Sequence, residues 1–381
     1  MTALEILAAL VAIPSDSARS NQPLVERVCH LLEPLGWHCE RLPYRDAAGV
    51  QKMNLLARPP QASAAIELGF LCHTDTVPPA VGWQTACQLA NDGTVARGLG
   101  ACDVKGSLAA FLAAVLQQPQ QAVAPGVALL LTADEEIGCK GMEQLLAARP
   151  ELRMQCAIVS EPTSLRPAVA GKGYGLARVT VRGREAHSAF PAEGRSAIAA
   201  AAALLLRVLD GIQDADRKDR PSLLPPLLQD ALFDPPTTSF NVGTITGGTA
   251  KNMIPGECSF LVEWRAVPAQ PTGTVPERLR ALLQQTSLPG TTVALEVLRD
   301  EPGFAPAAED ALATRLSSLT GRTRTGISFG SEATRVARIA EEVVVIGPGD
   351  MHTAHSDREC LPLAELDEWT HTLAGLIRSG F

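Results

Sequence analysis

Short, continuous apolar runs alternate along this chain with stretches that are apolar on one side only. Ile66 to Cys72, Val127 to Thr132, Cys156 to Ser160 and Val343 to Ile346 are runs of strand length, rich in Val, Leu and Ile. That pattern predicts strands buried on both faces. Leu4 to Ala12, Gln22 to Leu35, Gly106 to Leu116 and Gly141 to Ala148 carry apolar residues at helical spacing, and Trp37 to Leu42 and Lys52 to Ala57 read as further strands. The alternation predicts an α/β fold: a doubly wound, mostly parallel sheet with helices on both faces.

After Lys172 the pattern changes. Gly175 to Arg182 places Ala177, Val179 and Val181 on one face and Arg178, Thr180 and Arg182 on the other, as a strand with one solvated face does. A helix over Ser196 to Leu209 follows the turn at Pro191 to Gly194. A Pro- and charge-rich loop over Asp214 to Pro236 then leads to strands Ser239 to Thr246 and Gly256 to Val267, a helix Val275 to Gln285 and a strand Thr292 to Leu298. The order βαββαβ predicts a ferredoxin-like domain, 173–300, inserted into a catalytic domain made of 1–172 and 301–381. Ala311 to Leu319 and Leu363 to Ile377 are its late helices.

Composition narrows the class. At 381 residues, two domains are the natural expectation. A net charge of -8 with no basic run argues against nucleic-acid binding. The Ala-rich run near Ala197 is too short to span a membrane and is bracketed by Arg195 and Arg207. Met1 to Pro14 lacks a basic leader and reads as a surface helix. The nine cysteines form no C-x-x-C pair and are scattered singly, several in apolar strands. An odd count without secretory signals points to a reducing compartment, the cytoplasm.

Chemistry-bearing residues follow the apolar runs. His73 and Asp75, Asp103 in a glycine-framed loop (Gly98, Gly100, Gly106), Glu135 with Glu136, and Glu161 lie in the first half, and His355 lies beyond the insert. Ligands collect at the carboxyl ends of strands in open α/β sheets. A pair of divalent ions needs a bridging carboxylate, terminal ligands and a base. Asp103 suits the bridge, His73 and Glu161 one ion, Glu136 and His355 the other, and Glu135 the base. Asp75 is placed to hold the second imidazole nitrogen of His73. His352, three residues before His355, is an alternative imidazole ligand.

The motifs His73-Thr-Asp75-Thr-Val-Pro78, Gly98-Leu-Gly100-Ala-Cys-Asp103-Val-Lys-Gly106, Thr132-Ala-Asp-Glu135-Glu136, Ser160-Glu161-Pro162-Thr163 and Ala354-His355 resemble those of the acetylornithine deacetylase and succinyl-diaminopimelate desuccinylase family of dinuclear zinc amidohydrolases. Ser160 to Pro167 with Gly171-Lys172-Gly173 looks most like the acetylornithine deacetylase branch. The resemblance implies two divalent ions, zinc or cobalt, held by His73, Asp103, Glu136, Glu161 and His355, which favours His355 over His352. It implies Glu135 as the base and His187 as a lid histidine acting in the neighbouring subunit of a homodimer joined through the inserted lid. It also implies that segments containing Asn252 and Arg265 hold the substrate carboxylate. The sequence departs from the pattern at Val104, where Met is usual, at Arg97, where an aromatic is common, and at Glu263, where Asp is common.

The expected activity is deacylation of a small N-acyl amino acid, N2-acetylornithine first and N-acetylcitrulline as a near neighbour, in arginine biosynthesis. The alternatives are a dipeptidase or carboxypeptidase on the same scaffold, or a metal- or ligand-binding protein without turnover. Glu332, in Gly330-Ser331-Glu332-Ala333, can meet a substrate ammonium or pair with Arg335.

Overall fold

The computed structural model describes residues 1–119, 122–213, 227–286 and 288–380, so part of the loop expected over Asp214 to Pro236 lies outside the described residues. Contacts gather the chain into two compact units. One is made of Met1–Ala170, Pro306–Thr325 and Ser331–Phe381, the other of Gly171–Ala305 and Gly326–Gly330.

The first unit is built on an eight-stranded sheet. Its order is His38–Arg45, Gln51–Arg58, Val127–Thr132, Ile66–His73, Met154–Val159, Ala340–Val345, Ala168–Gly171 and Thr325–Ile327. The four strands from Val127–Thr132 to Ala340–Val345 run parallel, and antiparallel strands flank them. This is the expected α/β class, with a parallel centre. All six residues of Val127–Thr132 are buried, which explains why that strand is continuously apolar. Helices Ala3–Val11, Gly106–Leu116 and Leu363–Ser379 pack against one another, and Phe111 of the second stacks on Phe70 with ring centroids 4.6 Å apart.

Local chemistry sets the element ends. Thr2 and Glu5 form a reciprocal capping box at the first helix. The helix expected over Gln22 to Leu35 stops at Leu32 and tightens into one turn of 3-10 helix over Glu33–Leu35. Pro34, which has no N–H and crowds the preceding turn, accounts for the stop. The next strand continues past the expected Leu42 through Pro43 to Arg45, tolerable because it lies at the sheet edge. Short pairings had no periodic signal, among them a three-stranded sheet of Ala90–Asn91, Val95–Arg97 and Cys360–Pro362.

The second unit has strands Tyr174–Arg182, Ser239–Gly247, Glu257–Arg265 and Thr292–Glu301 in one antiparallel sheet, with Ser239–Gly247 and Thr292–Glu301 at its edges. Helices Ala197–Gln213 and Thr274–Gln284 supply the intervening elements of the ferredoxin-like order. One sheet face buries Ala177, Val179, Val181, Phe260, Val262 and Trp264 against Ala201, Leu204 and Leu279. The outer face carries cross-strand ion pairs, Arg182 with Glu257 and Arg178 with Glu296.

A buried charge ties the antiparallel edge of the first unit to the turn that follows Val127–Thr132. Lys52, 1% exposed, sits 2.7 Å from Asp134 and donates to the carbonyls of Ser17 and Arg19 at 2.6 and 2.8 Å. Tyr44 donates to the other Asp134 oxygen at 2.8 Å. Lys52→Met removes the cation and leaves Asp134 buried without its charge partner. The free energy of unfolding, measured by urea denaturation, is expected to fall by about 3–5 kcal/mol.

Candidate metal centre

Each candidate side chain of the first unit leaves the carboxyl end of the parallel strands or a loop beside it. His73 ends its strand, and Ser160 continues the neighbouring one by donating its amide to Leu71 O at 2.9 Å. Trp369 Nε1 donates to Ser107 Oγ at 2.9 Å, and Ser107 Oγ to Ser160 Oγ at 3.1 Å, which fixes the backbone next to Glu161. Asp103 lies in the loop between residues 98 and 106. Gly100 there has φ 76, and a Cβ on it would lie 2.8 Å from Thr76 Cγ2, so only glycine fits. Asp134 and His355 also adopt left-handed backbone, with φ 57 and 56, uncommon for residues other than glycine. Such backbone is found at functional sites, held by surrounding contacts.

The side chains converge. His73, Asp103 and Glu161 bring one ligand atom each to within 4.8 Å of one another, and so do Asp103, Glu136 and His355. Asp103 belongs to both groups and divides its oxygens between them. Oδ1 is 3.0 Å from His73 Nε2, and Oδ2 is 3.2 Å from His355 Nε2. His355 Nε2 is also 3.0 Å from Glu136 Oε1. His73, Asp103 and Glu161 are buried, while the His355 side chain is half exposed. His352 is outside this cluster; its exposed ring pairs with Asp350 at 2.7 Å.

Asp75 differs from its expected role. His73 Nδ1 meets the main-chain carbonyl of Asp75 at 3.0 Å, while the nearest carboxylate oxygen is 3.7 Å away. The carboxylate turns instead to the acidic turn. It accepts from the Glu135 and Glu136 amides at 3.1 and 3.3 Å, and from Ser17 Oγ at 2.7 Å. Two residues along an extended chain bring the carbonyl, not the side chain, to the imidazole edge. Glu135 receives the Cys139 thiol on Oε1 at 3.3 Å.

Two carboxylates emerge that the sequence did not single out for these roles. Glu359, 1% exposed, accepts from the amides of Gly100, Cys102 and Asp103 at 3.1, 3.0 and 3.1 Å and so clamps the loop that carries Asp103. It lies in an unremarkable polar stretch, and no spacing marks it. Glu332, 2% exposed, accepts from Thr132 Oγ1 at 2.8 Å through Oε2, while Oε1 has no hydrogen-bond partner among the described residues. Arg335 is engaged with Glu143 at 3.0 Å and with the Gly138 carbonyl.

Protonation equilibria report the crowding of negative charge. Desolvation pushes Glu135 up to about 8 against the pull of His73, and Glu136, Glu332 and Asp75 add to the rise. Glu161 is driven well above the carboxylate range, first by desolvation and then by Asp103. Hydrogen bonds donated to Asp103 and Glu136 raise His355 to about 10. Desolvation alone would raise Asp103, but hydrogen bonds from His355 and His73 overcome it and hold its carboxyl low. Imidazolium protons on His73 and His355 would supply counter-charge. A set of carboxylate oxygens and imidazole nitrogens in two groups around a shared carboxylate fits two divalent cations, which would take that place.

The sequence model of Peptidase family M20/M25/M40 matches residues 69–379. The chain belongs to this peptidase family. Among curated relatives, acetylornithine deacetylase of Myxococcus xanthus is 39% identical over 374 residues, covering 94% of this chain and 92% of its own length. Acetylornithine deacetylase of Pasteurella multocida (strain Pm70) is 29% identical, covering 98% and 97%. The M20 chain is therefore a hydrolase acting on amide bonds, in the acetylornithine deacetylase-like branch. Solved structures share the fold at lower identity. A Staphylococcus aureus tripeptidase has a TM-score of 0.76 at 20% identity, covering 99% of this chain and 97% of that one. A Bacillus subtilis protein described as a dinuclear metal-binding peptidase from the M20 family has a TM-score of 0.69 at 14% identity, covering 100% and 98%.

The remaining expected residues belong to the second unit. His187 is exposed in a two-stranded ribbon opposite Met253, and its Nδ1 accepts from the Ala189 amide at 3.1 Å. Asn252 is exposed, and its carbonyl accepts from the Ser188 amide, so His187 and Asn252 share one edge. Arg265 lies over the Tyr174 ring, 4.5 Å from its centroid, and pairs with Glu263 at 2.9 Å.

The Glu359 clamp generates an expectation about cation binding. Glu359→Ala frees three amides around Asp103 without removing any side chain of the two convergent groups. Zinc affinity, measured by competition with a chromophoric chelator, is expected to fall about 10–100-fold while far-UV circular dichroism stays unchanged.

Proposed function

We propose that this M20 hydrolase removes the acyl group from a small N-acyl amino acid, with N2-acetylornithine as the first substrate, giving ornithine and acetate for arginine synthesis. The observation that carries the reading is the shared Asp103. Two convergent ligand groups meet at one carboxylate, with Glu135 immediately before Glu136 and oriented by Asp75. The 39% identity to a deacetylase supports the substrate class. Nine free cysteines support a reducing compartment, the cytoplasm.

In this reading His73, Asp103 and Glu161 would hold one cation, and Asp103, Glu136 and His355 the other. Zinc or cobalt bound there supplies Lewis acidity to the scissile carbonyl and to water. Glu135 moves the proton. Its carboxylate takes the proton from the attacking water and returns it to the departing amine. The raised affinity of Glu135 for a proton suits a group that must accept one and give it back. Asp75 keeps both backbone amides of the acidic turn in place, a positioning task. His187 donates to the oxyanion, and Arg265 and Asn252 orient the substrate carboxylate.

The second unit supports a homodimer. Ser239–Gly247 is an edge strand, and Ile245 on it and Leu206 on the adjacent helix are 51% and 64% exposed. An unpaired edge beside exposed apolar side chains is suited to pairing with a second copy. His187 then acts in the site of the neighbouring subunit.

The test is primary-amine release from N2-acetylornithine by zinc- or cobalt-loaded protein, with N-acetylcitrulline and a dipeptide in parallel. Ornithine release abolished by a chelator is expected; turnover of the dipeptide alone would assign a peptidase, and no turnover of any would remove the deacylase reading. Glu135→Gln is expected to retain both metals and lose at least about a hundredfold in kcat. Mixing Glu135→Gln with His187→Ala protein should restore activity in exchanged heterodimers, and failure to do so rules out action across the interface.

A further inference from the structure

A second cluster of reactive side chains lies apart from the Asp103 cluster, where helix Gln22–Leu32 turns back into strand His38–Arg45. Cys29 on the helix, Cys39 on the strand and Glu33 between them bring their ligand atoms to within 4.8 Å of one another. Cys29 is fully buried, whereas Cys39 is partly exposed on the edge strand of the eight-stranded sheet. Arg41 holds the arrangement. Its guanidinium donates to Glu33 at 2.8 Å, to both Glu26 oxygens at 2.9–3.2 Å and to the Cys39 carbonyl at 3.2 Å.

Two chemistries compete for such a trio, a soft metal ion and a reversible disulfide. Glu33 is already committed to Arg41, which leaves two sulfurs and a nearby positive charge, short of the four ligands of a closed thiolate site. The same positive charge favours a thiolate. We propose that Cys29 and Cys39 are a reversible oxidation site, closed to a disulfide by hydrogen peroxide. In the net step both S–H bonds and the O–O bond break, one S–S bond forms, each sulfur gives up one electron, and two waters leave. One sulfur of the pair is oxidised first to the sulfenic acid. The other then attacks that sulfur and expels its oxygen as water. The hydrogen bond from Cys39 and the charge of Arg41 hold Cys29 below the usual thiol range, against desolvation, while the same hydrogen bond and burial push Cys39 up.

The experiment uses the full-length, metal-loaded protein treated with a few equivalents of hydrogen peroxide, alkylated under denaturing conditions, digested and analysed by mass spectrometry. The expected product is one linked peptide pair containing Cys29 and Cys39, formed on the order of tenfold faster than any loss of the remaining thiols and reversed by dithiothreitol. Cys39→Ser and Cys29→Ala each abolish the link. Earlier oxidation of other cysteines, or no linked peptide, overturns the proposal. So does cadmium bound beyond that taken up by the Asp103 cluster, if it gives thiolate charge-transfer absorbance lost in both variants and protects the pair; that result assigns a metal site.

Discussion

The demand of crowded, desolvated carboxylates for positive charge organises this molecule. Asp103, Glu135, Glu136 and Glu161 converge at the carboxyl edge of a parallel sheet, where burial removes the water that would screen them. Such a group stands only if cations, imidazolium protons or backbone amides compensate it. The carboxylates beside His73 and His355 push both imidazoles above the usual histidine range. Two divalent ions would compensate the group more completely. What looks like an electrostatic liability of the fold is also what gives it affinity for metal.

Around the cluster the structure spends buried polar groups on geometry. Glu359 gathers three amides of the Asp103 loop, Asp75 gathers two of the acidic turn, and Lys52 anchors Asp134 beside Glu135. Each meets backbone amides or carbonyls, and none is among the convergent ligands. Left-handed backbone at Asp134 and His355 is held by the same contacts. These supports explain how loops from distant parts of the chain reach one point with separations of about 3 Å.

Much of this was legible in the sequence for a definite reason. Parallel strands buried on both faces must be apolar throughout, so Ile66–His73 and Val127–Thr132 announce themselves, and the polar residue at each carboxyl end stands out against the run before it. The alternation in Tyr174–Arg182 marks a sheet with one covered face just as directly. Elements without such a period were invisible, including the three-stranded sheet near Val95–Arg97 and the ribbon that carries His187. Where a local rule and the tertiary setting disagreed, the setting prevailed, as at Pro43 within an edge strand.

By itself the sequence determined the α/β class, the inserted βαββαβ unit and the order of the chemistry-bearing residues, because these follow from periodicity and from what stands next to each apolar run. Only the tertiary structure decided the partnerships. That the Asp75 carboxylate serves the acidic turn while its carbonyl serves His73, that Glu359 clamps the Asp103 loop from 256 residues away, and that singly scattered Cys29 and Cys39 lie side by side are all matters of distance. A hydrogen bond or a thiol pair depends on separations of a few ångströms between groups that no local pattern links, and those separations exist only once the chain has closed on itself.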